Sequence, residues 1–446
     1  MARRLVMFWL GLILLLAPST ASAAPGIGPD AVLSWSANAA KATIAACFVG
    51  DHPIMEARMY AMMHLAIHDA LNAIDRRSTP YAASLKAAPG ASPDAAVAAA
   101  ARDVLVPVLG SLSYYLSMDC INAGIASAEG SYSAALAAIT NGKAKTRGVA
   151  LGRAAAAAIL AMRSEDGYNT APVDPTYQEG TAPGVYRYTP GTPFAFGPHL
   201  GTELIPFAMN DGAQFRPGPP YALASGKYAA DVNEVQRLGG DGVTTPSART
   251  ADQTEIARFW VESSPLQWNR IARTVSTAEE LDPWENARLF GLLNIALTDA
   301  YIGTFEAKYH YLLWRPVTAI RMADFDGNVG TTADPTWTPL VPTPPIPDYP
   351  SGHATEGGAA ATVLSRFFRT DTMSFSLCSY TLAEGQKCSN ASPTLRHFTS
   401  FSQASKENGV SRIYVGYHFR DAVDTGIKHG EKIGKWTVNN FLRPVK

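Results

Sequence analysis

The chain has 446 residues, with 37 Lys and Arg against 38 Asp and Glu, so its formal net charge at pH 7 is −1. This balance argues against a nucleic-acid-binding protein, because the contact surface of such a protein is usually strongly basic. Hydrophobic residues make up 47% of the chain, which at this length is enough to bury a large core.

Residues 1–23 have the pattern of a secretory signal peptide. Arg3 and Arg4 precede an apolar run from Leu5 to Leu16, and the small residues 21–23 follow. The apolar run is too short to span a bilayer comfortably, so we expect cleavage near Ala23 rather than a retained anchor. No later run is apolar for long enough to cross a membrane. We therefore expect a secreted or periplasmic protein with no membrane partner.

Export to an oxidising compartment makes disulfides the expected state of the four cysteines. Four cysteines allow three pairings. We favour a bridge between Cys378 and Cys388, which bracket a short polar stretch, and a second bridge between Cys47 and Cys120. The spacings do not suggest a cysteine metal site.

The predicted elements give a mainly α fold with no block of strands. Residues 36–164 are rich in alanine and carry apolar residues three and four apart, as packed helices do. Residues 165–226 are dense in Pro, Gly, Tyr and Thr, and we expect a long irregular segment that wraps a helical body. After the signal peptide we therefore divide the chain into an N-terminal region, residues 24–226, and a C-terminal helical bundle, residues 227–446.

Helical patterning returns near Tyr228 and is strongest from Pro283 to Ile320, where Pro316 predicts a break or kink. A Pro-rich stretch follows at residues 338–350. Three helices are predicted in the remainder: His353–Phe368, His397–Tyr414 and Asp424–Leu442.

Lys308 and Arg315 begin the part of the sequence that carries chemistry. They lie seven residues apart, or two helical turns, so on one helix both cationic groups can emerge from the same face and bracket one anion. Lysine supplies a point charge, whereas arginine supplies a planar fork that suits an oxyanion. Taken alone, such a pair is usually a solvated face.

The triplet Ser351, Gly352 and His353 stands where the Pro-rich stretch enters a helix. Backbone N–H groups and the positive end of the helix dipole can face an oxyanion there, and Gly352 allows the backbone to approach closely. His353 can exchange a proton near neutral pH, which makes it the candidate general acid-base.

Arg412 and His418 form a third segment. On an unbroken helix their side chains would point about 120° apart. We expect Gly416, which lies between them, to end or bend the helix so that both side chains converge.

In this order, the patterns K-x6-RP, P-SG-H and SR-x3-G-x-H resemble the signature shared by vanadium-dependent haloperoxidases, type 2 phosphatidic acid phosphatases and bacterial acid phosphatases. The stretch from Pro344 to Gly358 resembles the haloperoxidase version more than that of the short phosphatases. The resemblance covers Lys308 to Gly426, and residues 165–226 match nothing in it. It implies helical bundles of the haloperoxidase and acid phosphatase type.

The resemblance also implies a role for each site residue. His418 would bind vanadium directly, and His353 would be the acid-base group. With vanadate bound, hydrogen peroxide would oxidise a halide to hypohalous acid. Organic compounds that accept the halogen, and the formation of an oligomer, are both compatible with the sequence. The residues that would hold the oxygens of vanadate are Lys308, Arg315, Ser351, Gly352 and Arg412. Lys308 would in addition polarise the peroxide.

Two other functions stay open. In a phosphatase the same residues would hold phosphate, His418 would attack phosphorus and His353 would protonate the leaving alcohol. The sequence departs from the phosphatase pattern four residues after His418, where Ala422 replaces an orienting Asp, with Asp421 and Asp424 close by. The third hypothesis is a catalytically silent anion-binding or scaffold protein.

Several further residues have chemical potential but a simpler explanation. His64 and His68 have the i, i+4 spacing of zinc ligands without the Glu of H-E-x-x-H, so we expect them in the core. We expect His310 to be peripheral and His397 to cap a late helix. Three aromatic side chains are candidates for lining a halide or organic-substrate pocket, although such residues are more often core: Phe305, Trp314 and Tyr349. Ile346 and Phe305 are candidates for shaping the halide preference, which the sequence does not reveal.

Overall fold

The computed structural model describes residues 30–50 and 52–445, so the predicted signal peptide lies outside the described residues. Within them the fold is mainly helical, as the sequence predicts. None of the described helices is both long and apolar enough to cross a membrane. The helices are α1 (Ala31–Ala45), α2 (Pro53–Ile74), α3 (Pro93–Gly110), α4 (Met118–Ala138), α5 (Lys143–Met162), α6 (Leu200–Glu203), α7 (Gly226–Leu238), α8 (Ala251–Phe259), α9 (Ser264–Ala278), α10 (Pro283–Tyr311), α11 (Pro316–Arg321), α12 (Gly352–Phe368), α13 (Phe401–Tyr414) and α14 (Arg420–Asn440).

Helix α10 lies at the centre of the molecule. Asp282 caps its N-terminus and forms a capping box with Glu285, and Pro283 occupies the first turn, where its missing N–H costs nothing. The helix is buried on nearly all sides from Asn286 to Lys308. A helix that is apolar all round must be surrounded by other elements. It packs against α2 on one side and α12 on another.

The main hydrophobic core joins the two predicted regions of the chain. It runs from Val32 in α1 to Leu442 beyond α14, through α2, α3, α9, α10 and α12. In the C-terminal part, α12 packs most extensively against α14. The boundary that we predict near residue 226 stays a prediction.

The segment from residue 165 to residue 226 is irregular apart from α6 and the first residue of α7, and it wraps the helices as expected. The buried carboxylate of Asp299 in α10 anchors it by accepting the N–H groups of Phe207, Ala208 and Met209 at 2.6, 2.7 and 2.8 Å. Just beyond the end of α10, the carbonyl of Leu312 accepts the N–H of Tyr186 at 2.6 Å. The segment therefore covers the end of α10 that carries Lys308.

The predicted helix His397–Tyr414 is wrong at its start. Strand β1 (Thr372–Leu377) pairs antiparallel with β2 (Arg396–Ser400), and the helix begins only at Phe401. His397 is exposed in β2, where its Nδ1 atom lies 2.7 Å from the hydroxyl of Ser376. The side chains of the two strands alternate between buried and exposed, which is the period of a strand rather than a helix.

Both predicted disulfides are confirmed. Cys47, just after α1, bonds to Cys120 in the first turn of α4. Cys378 bonds to Cys388 and closes part of the loop that joins β1 to β2. The second bridge helps to explain why this polar stretch forms a hairpin, because it joins two residues that are ten positions apart in the loop between the strands.

Candidate active site

Lys308 and Arg315 converge, but not from one helix as the sequence predicts. Helix α10 ends at Tyr311 because Leu312 adopts a left-handed conformation with φ of 54°. Arg315 then caps α11, and Pro316 occupies the first position of that helix. The break that Pro316 predicts is therefore present a few residues earlier, and it turns the arginine back toward the lysine.

The ammonium group of Lys308 is buried at the end of α10. Its Nζ atom donates to the backbone carbonyls of Pro347 and Asp348 at 2.7 and 2.8 Å. Two carbonyls leave one of its three N–H donors for another acceptor. Burial, with the neighbouring guanidinium of Arg315, lowers the pKa of Lys308 well below its usual value.

Arg315 is also buried, with an exposed fraction of 1%. Its Nε atom donates to the carbonyl of Ile346 at 2.6 Å, and Nη1 donates to the carbonyl of Tyr417 at 2.9 Å. The same Nη1 lies 3.0 Å from Nε2 of His418. Arg315 thus joins the Pro-rich stretch to the turn that carries His418.

Ser351 and Gly352 form the N-terminus of α12, as predicted. The N–H of Ser351 donates to the carbonyl of Ala422 at 2.9 Å, which fixes this terminus against α14. The hydroxyl of Ser351 is buried and has no hydrogen-bond partner among the described residues. It is therefore a donor that a bound oxyanion could use.

His353 follows in the first turn of α12 and is partly buried. Its Nε2 atom lies 3.2 Å from the backbone carbonyl of Glu262. A carbonyl only accepts, so Nε2 carries the hydrogen and Nδ1 is the nitrogen that can take up a proton. Burial lowers the pKa of His353 well below its usual value, and the nearby cations of Arg412 and Lys308 lower it further.

The turn after α13 brings Arg412 and His418 together, as predicted. The N–H groups of Tyr417 and His418 both donate to the carbonyl of Arg412, at 3.0 and 3.2 Å. Gly416 allows this turn through a positive φ of 87°, and a Cβ there would lie only 2.7 Å from the carbonyl of Gly239. The buried guanidinium of Arg412 donates from Nη1 to the carbonyl of Trp260 at 2.8 Å, while its Nε has no partner among the described residues.

Sequence reasoning missed Asp348, which is fully buried beside His418. One of its carboxylate oxygens, Oδ1, lies 2.9 Å from Nδ1 of His418 and 3.7 Å from Nη1 of Arg315. Burial raises the pKa of Asp348 to about 7, and the cations of Arg315 and Lys308 oppose that rise. The available signal was an acidic residue inside an otherwise apolar, Pro-rich stretch just before Ser351.

Glu356, one turn further along α12, was also missed. It is fully buried, and neither carboxylate oxygen makes a well-formed hydrogen bond within the described chain. Burial raises the pKa of Glu356 to about 8, although Ser264, Tyr301 and the cations of Arg412 and Lys308 lower it. It is therefore mostly neutral at pH 7 and adds little negative charge beside the cations.

Six of these residues form a candidate anion-binding site, which we call the oxyanion cage: Lys308, Arg315, Ser351, Gly352, Arg412 and His418. Three of its members are buried cations that have few acidic neighbours to balance them. Unpaired buried charge is costly, so such a cluster needs an anion. The donor set of ammonium, guanidinium, hydroxyl and helix N-terminus suits the several oxygens of vanadate or phosphate.

The remaining candidate residues have packing roles. His64 stacks on Phe290 with ring centroids 5.0 Å apart, and His68 hydrogen bonds to Ser78 at 2.6 Å. His310 is exposed, as expected. Searching the described ranges finds no group of three or more His, Cys, Asp or Glu arranged to hold a metal ion. The three candidate lining residues, Phe305, Trp314 and Tyr349, and the selectivity candidate Ile346 all pack in or against the hydrophobic core.

The part of the chain that carries these residues is similar to a domain of known proteins. A family model described as the VCPO second helical-bundle domain matches residues 288–446, which include every cage residue. The C-terminal bundle is therefore similar to the second helical bundle of a vanadium chloroperoxidase. The vanadium chloroperoxidase of Curvularia inaequalis is 25% identical over 308 residues, which are 56% of this chain and 48% of that protein. The chain thus spans about half the length of this haloperoxidase relative.

Two solved haloperoxidase structures show that the fold extends over nearly the whole chain. A bacterial vanadium-dependent iodoperoxidase superposes with a TM-score of 0.73 at 24% identity, covering 95% of this chain and all of that one. The holo form of a bacterial vanadium-dependent chloroperoxidase gives a TM-score of 0.68 at 17% identity, covering 91% of this chain and 96% of that one. The mainly α haloperoxidase fold predicted from the motifs is therefore confirmed.

Proposed function

We propose that this protein binds vanadate in the oxyanion cage and, with hydrogen peroxide, oxidises a halide to hypohalous acid. The observation that carries the proposal is the convergence of three buried cations on His418, whose Nε2 atom lies 3.0 Å from Arg315. Bound vanadate would supply a Lewis acid that activates peroxide. The iodoperoxidase and the chloroperoxidase that share this fold support the reaction class and leave the halide open.

Each part of the cage has a distinct task in this proposal. Lys308, Arg315 and Arg412 balance the negative charge of the oxyanion in a buried setting, where charge interactions are strong. The hydroxyl of Ser351 and the N–H of Gly352 donate to its oxygens. Lys308 can also use its third N–H donor on the peroxide, because its other two are held by carbonyls.

His418 supplies the metal ligand and His353 moves the proton. Burial lowers the pKa of His418 well below its usual value, and the cations of Arg315, Lys308 and Arg412 lower it further. A neutral imidazole keeps the lone pair that binds a metal. The Nδ1 atom of His353, whose Nε2 contacts the carbonyl of Glu262, would take a proton from peroxide and return it to the product oxygen.

A phosphatase is the second candidate, and one observation favours it. The orienting carboxylate that the sequence lacks at Ala422 is supplied by Asp348, 2.9 Å from His418. A histidine oriented in this way can act as a nucleophile toward phosphorus. The departure from the phosphatase motif therefore does not by itself argue against this activity.

Opposite responses to vanadate separate the two functions. We would measure halogenation of a phenolic dye with peroxide and chloride, bromide or iodide, before and after vanadate is added to metal-free protein. Vanadate-dependent halogenation that is lost in the variant His418→Ala is expected. Phosphate-ester hydrolysis that vanadate inhibits, without any halogenation, would transfer the assignment to a phosphatase, and silence in both assays would leave an anion-binding protein.

Export to an oxidising compartment is part of the proposal. The two disulfides support it, because such bonds persist mainly in secreted or periplasmic proteins. Expression of the full chain with a C-terminal tag tests it. A mature N-terminus at Ala24 in the exported fraction is expected, and uncleaved protein retained inside the cell would contradict it.

A further inference from the structure

We propose that Asp348 is the positioning residue of His418: it holds the hydrogen of the imidazole on Nδ1 and so presents an unprotonated Nε2 to the oxyanion cage. The inference rests on the proposed function, because it concerns how the chain prepares its vanadate ligand. It assigns a task to a residue outside the three sequence motifs.

The contacts on the two nitrogens of His418 favour one tautomer. Nη1 of Arg315 lies 3.0 Å from Nε2 and 3.4 Å from Nδ1, and a guanidinium can only donate, so the nearer nitrogen, Nε2, is the better placed acceptor. A neutral imidazole with an unprotonated Nε2 carries its hydrogen on Nδ1. That Nδ1 atom lies 2.9 Å from Oδ1 of Asp348, which can only accept when ionised.

The contact between His418 and Asp348 is short but bent. Although the two atoms are 2.9 Å apart, the carboxylate oxygens do not lie in line for a full hydrogen bond. The attraction is therefore chiefly electrostatic in this arrangement. Neither oxygen makes a hydrogen bond to another side chain among the described residues, and the backbone N–H of Phe419 is the further polar group that lowers the pKa of this carboxyl.

The backbone of Asp348 is fixed on both sides. Its N–H donates to the carbonyl of Leu313 at 2.8 Å, and its own carbonyl accepts from Nζ of Lys308 at 2.8 Å. Its side chain is fully buried. A carboxylate held this firmly can impose an orientation on a neighbouring ring, as outer carboxylates do for metal-binding histidines in general.

The other carboxylates near His418 in sequence are occupied elsewhere. Asp421 accepts the N–H of Tyr221 at 3.2 Å, and Asp424 is exposed on α14. Over the described part of the chain, Asp348 is the carboxylate that lies within 4.0 Å of His418. The position is thus filled from a different segment of the chain.

A purely structural role for Asp348 is the rival explanation, since Arg315 lies 3.7 Å from the same oxygen. A structural role would affect every anion in the cage, whereas a positioning role affects only an anion that bonds to Nε2. Vanadate can form that bond, and sulfate cannot. The ratio of the two affinities therefore distinguishes the explanations.

The test uses the full exported protein and the variants Asp348→Ala and Asp348→Asn, with Asp424→Asn as the matched control for charge. Dissociation constants for vanadate and sulfate are measured by titration calorimetry. We expect Asp348→Ala to lower the affinity for vanadate about 10- to 100-fold, as the loss of a residue that hydrogen bonds to a metal ligand does. Sulfate binding should weaken much less, or improve, because a negative charge is removed. Asp348→Asn keeps an acceptor for Nδ1 and should lie between wild type and Ala.

A second measurement does not depend on vanadate. Nitrogen-15 chemical shifts of His418, assigned by comparison with His418→Gln, report which ring nitrogen carries the hydrogen. We expect the Nδ1–H tautomer in the wild type and a shift toward Nε2–H in Asp348→Ala. An unchanged tautomer in Asp348→Ala, or an equal loss of affinity for vanadate and for sulfate, would overturn the inference. A wild-type protein that has the Nδ1–H tautomer but does not bind vanadate would instead contradict the proposed function.

Discussion

The Nζ atom of Lys308 donates to the backbone carbonyl of Asp348 at 2.8 Å, so the cation at the end of α10 also holds the segment that faces His418. Lys308 therefore has two effects on the cage. It supplies positive charge, and it fixes the peptide that carries the Asp348 carboxylate. Because Arg315 also donates to this segment, through the carbonyl of Ile346, the Pro-rich stretch is bound to both cations.

Replacement of Lys308 by Met should weaken every oxyanion that the cage binds. A charge-assisted hydrogen bond contributes about 1.5 to 3 kcal/mol, which corresponds to a fall in affinity of about 10- to 150-fold. Calorimetric titration with vanadate and with sulfate measures the change. Lys428→Met, which removes an exposed lysine on α14, is the matched control and should bind as the wild type does. Unchanged sulfate affinity in a folded Lys308→Met protein would remove Lys308 from the cage.

Glu356 should make anion binding depend on pH above neutrality. Its carboxyl is neutral below its raised pKa of about 8, so a rise in pH through that value places a negative charge beside Lys308 and Arg412. The amide introduced by the variant Glu356→Gln cannot ionise. Sulfate affinity of this variant should therefore equal that of the wild type at pH 6 and exceed it roughly tenfold at pH 9. A factor of about ten is the order of magnitude expected for the interaction of two nearby charges.

Sulfate suits this measurement because its own charge does not change between pH 6 and pH 9. The ionised carboxylate of Glu356 also raises the pKa of Lys308, so the difference between the two proteins includes any change in the charge of that lysine. Parallel curves for the two proteins over the whole range would show that Glu356 stays neutral or lies too far from the anion.

Close packing of α12 on α14 should affect both the free energy of unfolding and the affinity of the oxyanion cage for sulfate. A Cβ atom at Gly430 of α14 would lie 1.8 Å from the carbonyl of Thr355 in α12, so Gly430→Ala must push the helices apart. We expect a loss of about 1 to 3 kcal/mol in the free energy of unfolding, with weaker sulfate binding, because Ser351 is held against α14. Gly130→Ala is the control.

Gly130 is also helical, but a Cβ there meets nothing within 4 Å. Its replacement should raise the free energy of unfolding by about 0.5 to 1 kcal/mol, since alanine is the better helix former. Thermal unfolding of both variants gives the comparison. Equal and small effects would mean that the two helices can separate at little cost.

How far sequence predicts the site depends on whether residues interact locally. The N-terminus of α12 at Ser351 and the turn at Gly416 are local features, and both were predicted because cap and turn chemistry lie within a few residues. The convergence of Lys308 and Arg315 was also predicted, but by a wrong route. The apolar spacing in the sequence continues at the helical period past Leu312 and so predicts one continuous helix. In the structure α10 ends before Leu312, where residues 312–314 form hydrogen bonds with the wrapping segment instead.

Contacts between distant segments could not be read from the sequence. Asp348 and His418 meet because the Pro-rich stretch is held by Lys308 and Arg315, and no spacing in one sequence encodes that relation. The hairpin that contains His397 was missed for a related reason. Its strands are short, and their pairing is stabilised by contacts with each other and by the nearby disulfide.

Burial of Glu56 in α2 should make the protein less stable as pH rises. Its carboxyl is fully buried, where it accepts from the hydroxyls of Tyr60, at 3.0 Å, and Ser263. Burial raises its pKa from 4.5 to about 7. Below pH 4.5 the group is protonated in both the folded and the unfolded chain. As pH rises from 4.5 to 7, the unfolded chain loses the proton first, so the free energy of unfolding falls, by about 3 kcal/mol at most.

The variant Glu56→Gln cannot ionise and should escape this loss. Its thermal unfolding midpoint, measured with the disulfides intact, should change little relative to wild type at pH 5 and rise above the wild-type value at pH 8. Glu431→Gln removes an exposed carboxylate from α14 and should give the same difference from wild type at both pH values. If the midpoints of Glu56→Gln and wild type instead differ by a constant amount from pH 5 to pH 8, the buried carboxyl does not change its protonation on unfolding, and the network around Tyr60 and Ser263 must stabilise its charged form.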